Sequence, residues 1–289
     1  MTGRALPGPV TVPVLPGPET VFLGLDTDSP WFAGHFPGHP ILPGIAHLAL
    51  VERALGGLLD APVRIATVPS LRLRRPLGPG DALTLRLAPA TGGAVRFEIA
   101  CGAERASHGT VGLTADPGTL PAGADPLLVA EVTAPAPDDP ARLLPHALPA
   151  RLIEAIGDHQ PERLAARARI PLDSPFAEAG IAPALVALEL AAQAAAALEA
   201  VERAARGEAG GARRGYLVGA RDARWAPPLL PVGPPLAVRV ALEARALPLS
   251  HYRFEVAVAG IVVATGTIAT FLGDSDRSSV SPLNRGQQP

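Results

Sequence analysis

The sequence predicts an α+β chain built as two copies of one unit, each an antiparallel sheet covering a single long apolar helix. Three observations predict it. The same order of elements occurs on both sides of a proline-rich stretch: a loop with Phe, an Ala/Leu helix, then short alternating strands. Arg96-Phe97-Glu98-Ile99-Ala100 reappears as Arg253-Phe254-Glu255-Val256-Ala257. With 48% hydrophobic and 18% charged residues among 289, the chain has enough apolar surface to bury a core in each copy.

The strands follow from period-two alternation of Ile/Val/Leu with Arg, Glu or Thr over Leu71 to Arg75, Leu83 to Leu87 and Val95 to Ala100. Such alternation marks antiparallel strands with one covered face. The helices are expected from Pro43 to about Leu58 and from Pro183 to about Arg206. Pro43 and Pro183 would occupy first turns, where a missing N–H costs little. Gly80 to Leu87 parallels Gly233 to Val240, so each copy is about 115 to 130 residues long. The offset between copies grows from 140 at Phe36 and Phe176 to 157 at the Arg-Phe-Glu match. The hydrophilic run Glu202 to Arg214 accounts for most of that growth as a longer helix end and loop.

These features divide the chain into a first unit at 1–116, a proline-rich linker at 117–140, a second unit at 141–273 and a polar, disordered tail at 274–289.

Composition removes several function classes. A net charge of -2 and a pI near 6.4 give no basic field for nucleic acid or an anionic membrane. All 25 basic residues are arginine, from which no function is drawn. Cys101 alone makes no intrachain disulfide, and no Cys/His cluster has structural zinc spacing. The N-terminus lacks a signal-peptide core, and Ala184 to Ala200 is interrupted by Glu189, Gln193 and Glu199, unlike a membrane span. The expected setting is a reducing cytoplasm.

Residues 31 to 44 read Trp-Phe-Ala-Gly-His-Phe-Pro-Gly-His-Pro-Ile-Leu-Pro-Gly, a Gly/Pro-clamped loop carrying His35 directly before the first helix. This loop resembles the His loop of 3-hydroxyacyl-acyl-carrier-protein dehydratases, hotdog-fold proteins, nearly position for position over 34 to 44. The second copy is similar to that family through Leu144-Pro145-His146 with Pro149, through Glu189-Leu190-Ala191-Ala192-Gln193, and through Gly219 to Pro231. The resemblance implies a double hotdog, with two antiparallel sheets each wrapping a central helix.

In that family the catalytic acid follows the loop histidine by 14 residues, a position held here by Ala49. In the second copy the histidine position is Pro175, while the acid position is Glu189. Each half keeps what the other has lost. Hotdog dehydratases resemble dimers whose sites take histidine from one protomer and carboxylate from the other. A fused pair can therefore keep one site, His35 with Glu189, and leave Ala49 with Pro175 as a silent twin.

The resemblance implies removal of water from 3-hydroxyacyl thioesters, with no cofactor and no metal. A base takes the α-proton and an acid protonates the departing β-hydroxyl, roles suited to His35 and Glu189. The N–H of Gly44 would stabilise charge on the thioester oxygen at a helix N-terminus. The matching Ala184 N–H would face the silent site. Gln193, one turn from Glu189, would orient the carboxylate. The substrate is expected on acyl carrier protein or coenzyme A, and the fused pair supplies a dimer within one chain. Arg72, Arg74, Arg75, Arg213, Arg214, Arg221 and Arg224 are a candidate basic rim for a carrier protein or its phosphopantetheine phosphate. Enoyl hydratase and thioesterase activities are the enzymatic alternatives, and a non-catalytic acyl-binding scaffold is the alternative of another class. His39 is read as exposed near the entrance, His47 as a polar filler in the silent half, and Glu52 as lying on the wetter end of its helix. His108, His146, His159 and His251 are assigned no chemistry.

Overall fold

This computed structural model of the protein describes residues 14–114, 139–208, 213 and 215–273. The first half runs β1 (Glu19–Gly24), α1 (Gly44–Leu59), β2 (Arg64–Leu73), β3 (Ala82–Pro89), β4 (Ala94–Cys101) and β5 (Glu104–Thr114). The second runs α2 (Pro140–Leu143), β6 (Ile153–Gln160), β7 (Arg163–Arg169), β8 (Ile181–Pro183), α3 (Val186–Ala205), β9 (Gly215–Trp225), β10 (Leu229–Pro231), β11 (Pro235–Ala246), β12 (Leu249–Val258) and β13 (Ile261–Leu272). Pro140, expected in the linker, begins α2. The rest of that linker and the tail from 274 lie outside the described residues, apart from Asp139, which caps α2 by accepting a bond from the Ala141 N–H.

The duplication is visible in the strand order β1-β3-β4-β5-β2-β9-β13-β12-β11-β7-β6, where the second half reverses the order of the first. Two separate sheets were expected, but β2 and β9 pair antiparallel, Leu71 opposite Ala220 and Val68 opposite Ala223, and join both halves into one sheet. The physical cause is that unpaired strand edges leave backbone donors and acceptors without partners, and pairing the two repeats satisfies both edges. Gly219 fits this seam because a Cβ there would lie 2.8 Å from the Leu71 carbonyl oxygen. Trp225 on β9 donates its indole N–H to the Ile65 carbonyl on β2, a second buried tie across the seam.

The repeated Arg-Phe-Glu strands occupy equivalent places. Phe97 pairs with Gly109 and Phe254 with Gly266, and in both cases a Cβ on the glycine would meet the ring at 2.9 Å. Each glycine makes room for the aromatic ring opposite it.

Helix α1 buries Ile45, Leu48, Val51 and Leu55, a face spaced at one helical turn. Deleting such a buried side chain typically costs about 2–5 kcal/mol, as for a Leu48→Ala change. Asp60, in the left-handed region at φ 46°, ends the helix. Helix α3 is longer and buries Ala187, Ala191, Ala194, Ala195 and Ala197, whose small side chains allow close approach to the sheet and to α1. Pro43 caps α1, but Pro183 lies in β8, paired with Leu229, and α3 starts three residues later. Glu52 is buried rather than wet, because Arg64 and the Ile65 N–H both bond its carboxylate. Among the described residues, no helix is long and apolar enough to cross a membrane.

Candidate functional site

Two positive-φ glycines, Gly34 and Gly38, bend the His loop, with Phe36 between them at φ 57°. The bend turns His35 inward, where 6% of its surface remains exposed. Its Nδ1–H donates to the Ile41 carbonyl at 2.8 Å, which leaves Nε2 as the free lone pair. Burial lowers the His35 pKa, against the opposing pull of the Glu189 charge and the bond to Ile41. The ring is therefore neutral at neutral pH and in the basic form.

Glu189 lies in the first turn of α3, in the other half, and is also buried. Gln193 donates from Nε2 to Glu189 Oε1 at 2.9 Å and to the Ala150 carbonyl at 2.8 Å, and it accepts from the Leu152 N–H at 2.8 Å. That set fixes the amide orientation, because a flipped amide would aim its oxygen at two other acceptors. The helix thus delivers the carboxylate, and Gln193 ties it to the strand-leading segment 150–152.

His35 and Glu189 line the same pocket. Its other walls are largely apolar: Trp31 and Pro43 from the first half, Pro149, Leu152, Pro175 and Phe176 from the second. Phe176 stacks on Trp31 at 6.1 Å, so loop 174–176 closes over the first half. Pro175, expected in a silent twin site, instead forms part of the wall beside His35 and Glu189. The Ala184 N–H, expected to face that twin, is bonded to the Pro228 carbonyl at 2.8 Å and has no free role.

Gly44 is the first residue of α1, directly after the pocket residue Pro43, and the helix has no side-chain cap. The Ala46 N–H bonds the Pro43 carbonyl at 2.9 Å, and no capping side chain takes up the N–H groups before it.

His146, to which the sequence assigns no chemistry, joins this cluster. It is buried at 8% exposure, its ring centroid is 5.1 Å from that of His35, and its Nε2 is 3.5 Å from Glu189 Oε1. Its sequence signal is the Leu144-Pro145-His146 segment. His35, His146 and Glu189 have ligand atoms that all lie within 4.8 Å of one another. Two histidines and a carboxylate are a composition that transition metals accept. Ligands about 2.1 Å from a zinc ion would sit roughly 3.4 Å apart, so the trio would have to contract to hold one.

The remaining histidines lie elsewhere. His39 is exposed, and His47 is buried with Nδ1 2.9 Å from the Ser107 hydroxyl, inside the first half. Of the arginines, Arg75 is paired with Asp81 and Glu104, while Arg72, Arg74, Arg221 and Arg224 are exposed. Arg72 and Arg221 border the β2–β9 seam. Arg213 is half-buried, and Arg214 lies outside the described residues.

Comparison with known proteins divides the chain into two matched segments. A family described as ApeI dehydratase, ApeI-like, matches residues 19–110, and one described as ApeP dehydratase, ApeP-like, matches residues 138–280. Among curated relatives, the 3-hydroxyacyl-[acyl-carrier-protein] dehydratase FabZ of Thermus thermophilus is 42% identical over 66 residues, 20% of this chain and 46% of the relative. The FabZ of Geobacter metallireducens is 36% identical over 89 residues, 27% of this chain and 58% of the relative. The chain spans about half the length of the curated relatives it matches. The dehydratase domain of PpsC from Mycobacterium tuberculosis, solved in complex with C12:1-CoA, shares the fold with a TM-score of 0.62 at 17% identity, covering 89% of this chain and 94% of that one.

Proposed function

The chain belongs to the 3-hydroxyacyl-acyl-carrier-protein dehydratase family of hotdog proteins, as a two-domain member, and from that premise we propose that it converts 3-hydroxyacyl thioesters to trans-2-enoyl thioesters at one site shared by its halves. The observation that carries the reading is the convergence of His35, from the first half, and Glu189, from the second, in one mostly apolar pocket. Neither half contains both groups, so the fused chain acts as the dimer that a single hotdog would need.

His35 Nε2 takes the α-proton, and the electron pair moves toward the thioester oxygen. The uncapped N–H of Gly44 donates to that oxygen as its charge develops. In the reacting form Glu189 carries a proton and gives it to the β-hydroxyl, the C–O bond breaks, water leaves and the Cα–Cβ double bond forms. The proton on His35 then returns to Glu189 through solvent, which restores both groups. Positioned acid and base groups of this kind contribute about 10²- to 10⁴-fold each. Gln193 holds Glu189 in place while its charge changes.

The thioester is carried by acyl carrier protein or coenzyme A, and the exposed Arg72, Arg74, Arg221 and Arg224 suit an acidic carrier or a phosphate. No step requires a cofactor. The test is an assay of purified protein with 3-hydroxyacyl thioesters on both carriers, following enoyl absorbance and free thiol together. Enoyl formation without thiol release supports the proposal. Thiol release without enoyl formation would establish the thioesterase alternative, and neither signal would leave the scaffold reading.

A further inference from the structure

We infer that His146 is a positioning residue of this site, its neutral ring donating Nε2–H to Glu189 and holding the carboxyl for proton transfer. The inference rests on the dehydratase reading for its kinetic consequence but not for its geometry.

His146 Nε2 faces Glu189 Oε1 at 3.5 Å, while its ring packs against His35 and against Phe36 at 4.9 Å. Its Nδ1 is buried without a hydrogen-bond partner among the described residues. A leucine would fill this space without leaving a polar atom unpaired, so packing alone does not account for an imidazole here. Burial, and then the proximity of His35, push its pKa down to about 3. The ring is therefore neutral, and the 3.5 Å approach to Glu189 is not an ion pair but the position from which Nε2–H would donate. A neutral ring has one proton, and the carboxylate oxygen opposite Nε2 places it there.

Gln193 Nε2 and His146 Nε2 both fall on Oε1 of Glu189. Oε2 is the oxygen left for the proton that departs with the hydroxyl. When that proton leaves, negative charge appears on a carboxylate that Gln193 already meets and that His146 stands ready to meet, so little reorganisation is needed. The Ala147 N–H bond to the Gly34 carbonyl, at 2.9 Å, pins His146 beside His35 with one backbone contact.

The test compares the wild-type chain with His146→Phe, which keeps a ring and loses the donor, and His146→Gln, which restores an N–H donor. His146→Phe should lower kcat on the order of tenfold to a hundredfold with KM within about threefold, and His146→Gln should recover most of the loss. Full kcat in His146→Phe, or equal loss in both variants, overturns the inference. An arm independent of turnover is the ring ¹⁵N spectrum at about pH 7, with the His146 signals identified by their loss in His146→Phe. A neutral ring protonated at Nε2 supports the assignment, and a charged ring or the opposite tautomer overturns it. If the wild type dehydrates no 3-hydroxyacyl thioester, the dehydratase reading falls and the tautomer alone decides the role of His146.

Discussion

The carbonyl of Gly34 accepts a hydrogen bond of 2.9 Å from the N–H of Ala147, so the residue before His35 is tied to the residue after His146. This bond crosses from one half of the chain to the other. It explains how two histidines 111 positions apart come to pack together. A side chain at position 34 is excluded twice over, by φ of +72° and by the Ala147 and Leu148 carbonyl oxygens, which a Cβ would meet at 2.4 and 2.7 Å.

Gly34→Ala should therefore lower both stability and activity. Gly38→Ala is the control, since Gly38 also has positive φ, +78°, but open space around it. The control should cost only the left-handed backbone penalty, about 1–2 kcal/mol. Urea denaturation and turnover of both variants check this, and equal behaviour would refute the role given to the Gly34–Ala147 contact.

Gln193→Leu keeps a comparable volume and removes three hydrogen bonds. The Leu152 N–H and Ala150 carbonyl lose the partners they have in the native protein. Each buried group left unpaired costs about 1–3 kcal/mol, so the variant should unfold at distinctly lower urea. Turnover should also fall, because Glu189 loses a donor. A variant with native stability would show that the segment 150–152 is held by other means.

Acid should weaken the fold through its buried histidines. Burial pushes His47 down to about 4 and His146 down to about 3, against about 6.5 in an unfolded chain. Between those values the unfolded chain binds protons that the folded chain does not, so stability is lost as pH falls from about 6.5 toward 4. Each ring contributes at most about 1.4 kcal/mol per pH unit. Glu52 works in the other direction, since burial raises its pKa and the folded chain protonates it first. His47→Leu should flatten the dependence by one proton, measurable as urea midpoints at about pH 7, 5.5 and 4.5. An unchanged slope would contradict the buried, neutral state of His47.

Much of the fold was legible because its signals are local. Period-two alternation marked β3 and β4, and the Arg-Phe-Glu match placed Phe97 and Phe254 at equivalent points of the two halves. The joined sheet was not legible, since pairing of β2 with β9 depends on which edges meet. Motif and repeat offset point to His35, Glu189 and Gln193, and the structure brings these three together. His146 has no such signal, because no spacing links it to His35; the Ala147–Gly34 bond and the packing of its ring on His35 and Phe36 bring the two together. Glu52 differs from expectation for a similar reason: a charge on a helix reads as exposed until Arg64 and the Ile65 N–H are seen to reach it from outside the helix.

The central claim is that one site draws its base from the first half and its acid from the second. Its most direct measurement is dehydration of a 3-hydroxyacyl thioester by the wild type, His35→Ala and Glu189→Gln, each shown to be folded by its urea transition. The account predicts an active wild type and losses of about 10²-fold or more in each variant. Either variant with full activity, despite native folding, would contradict it.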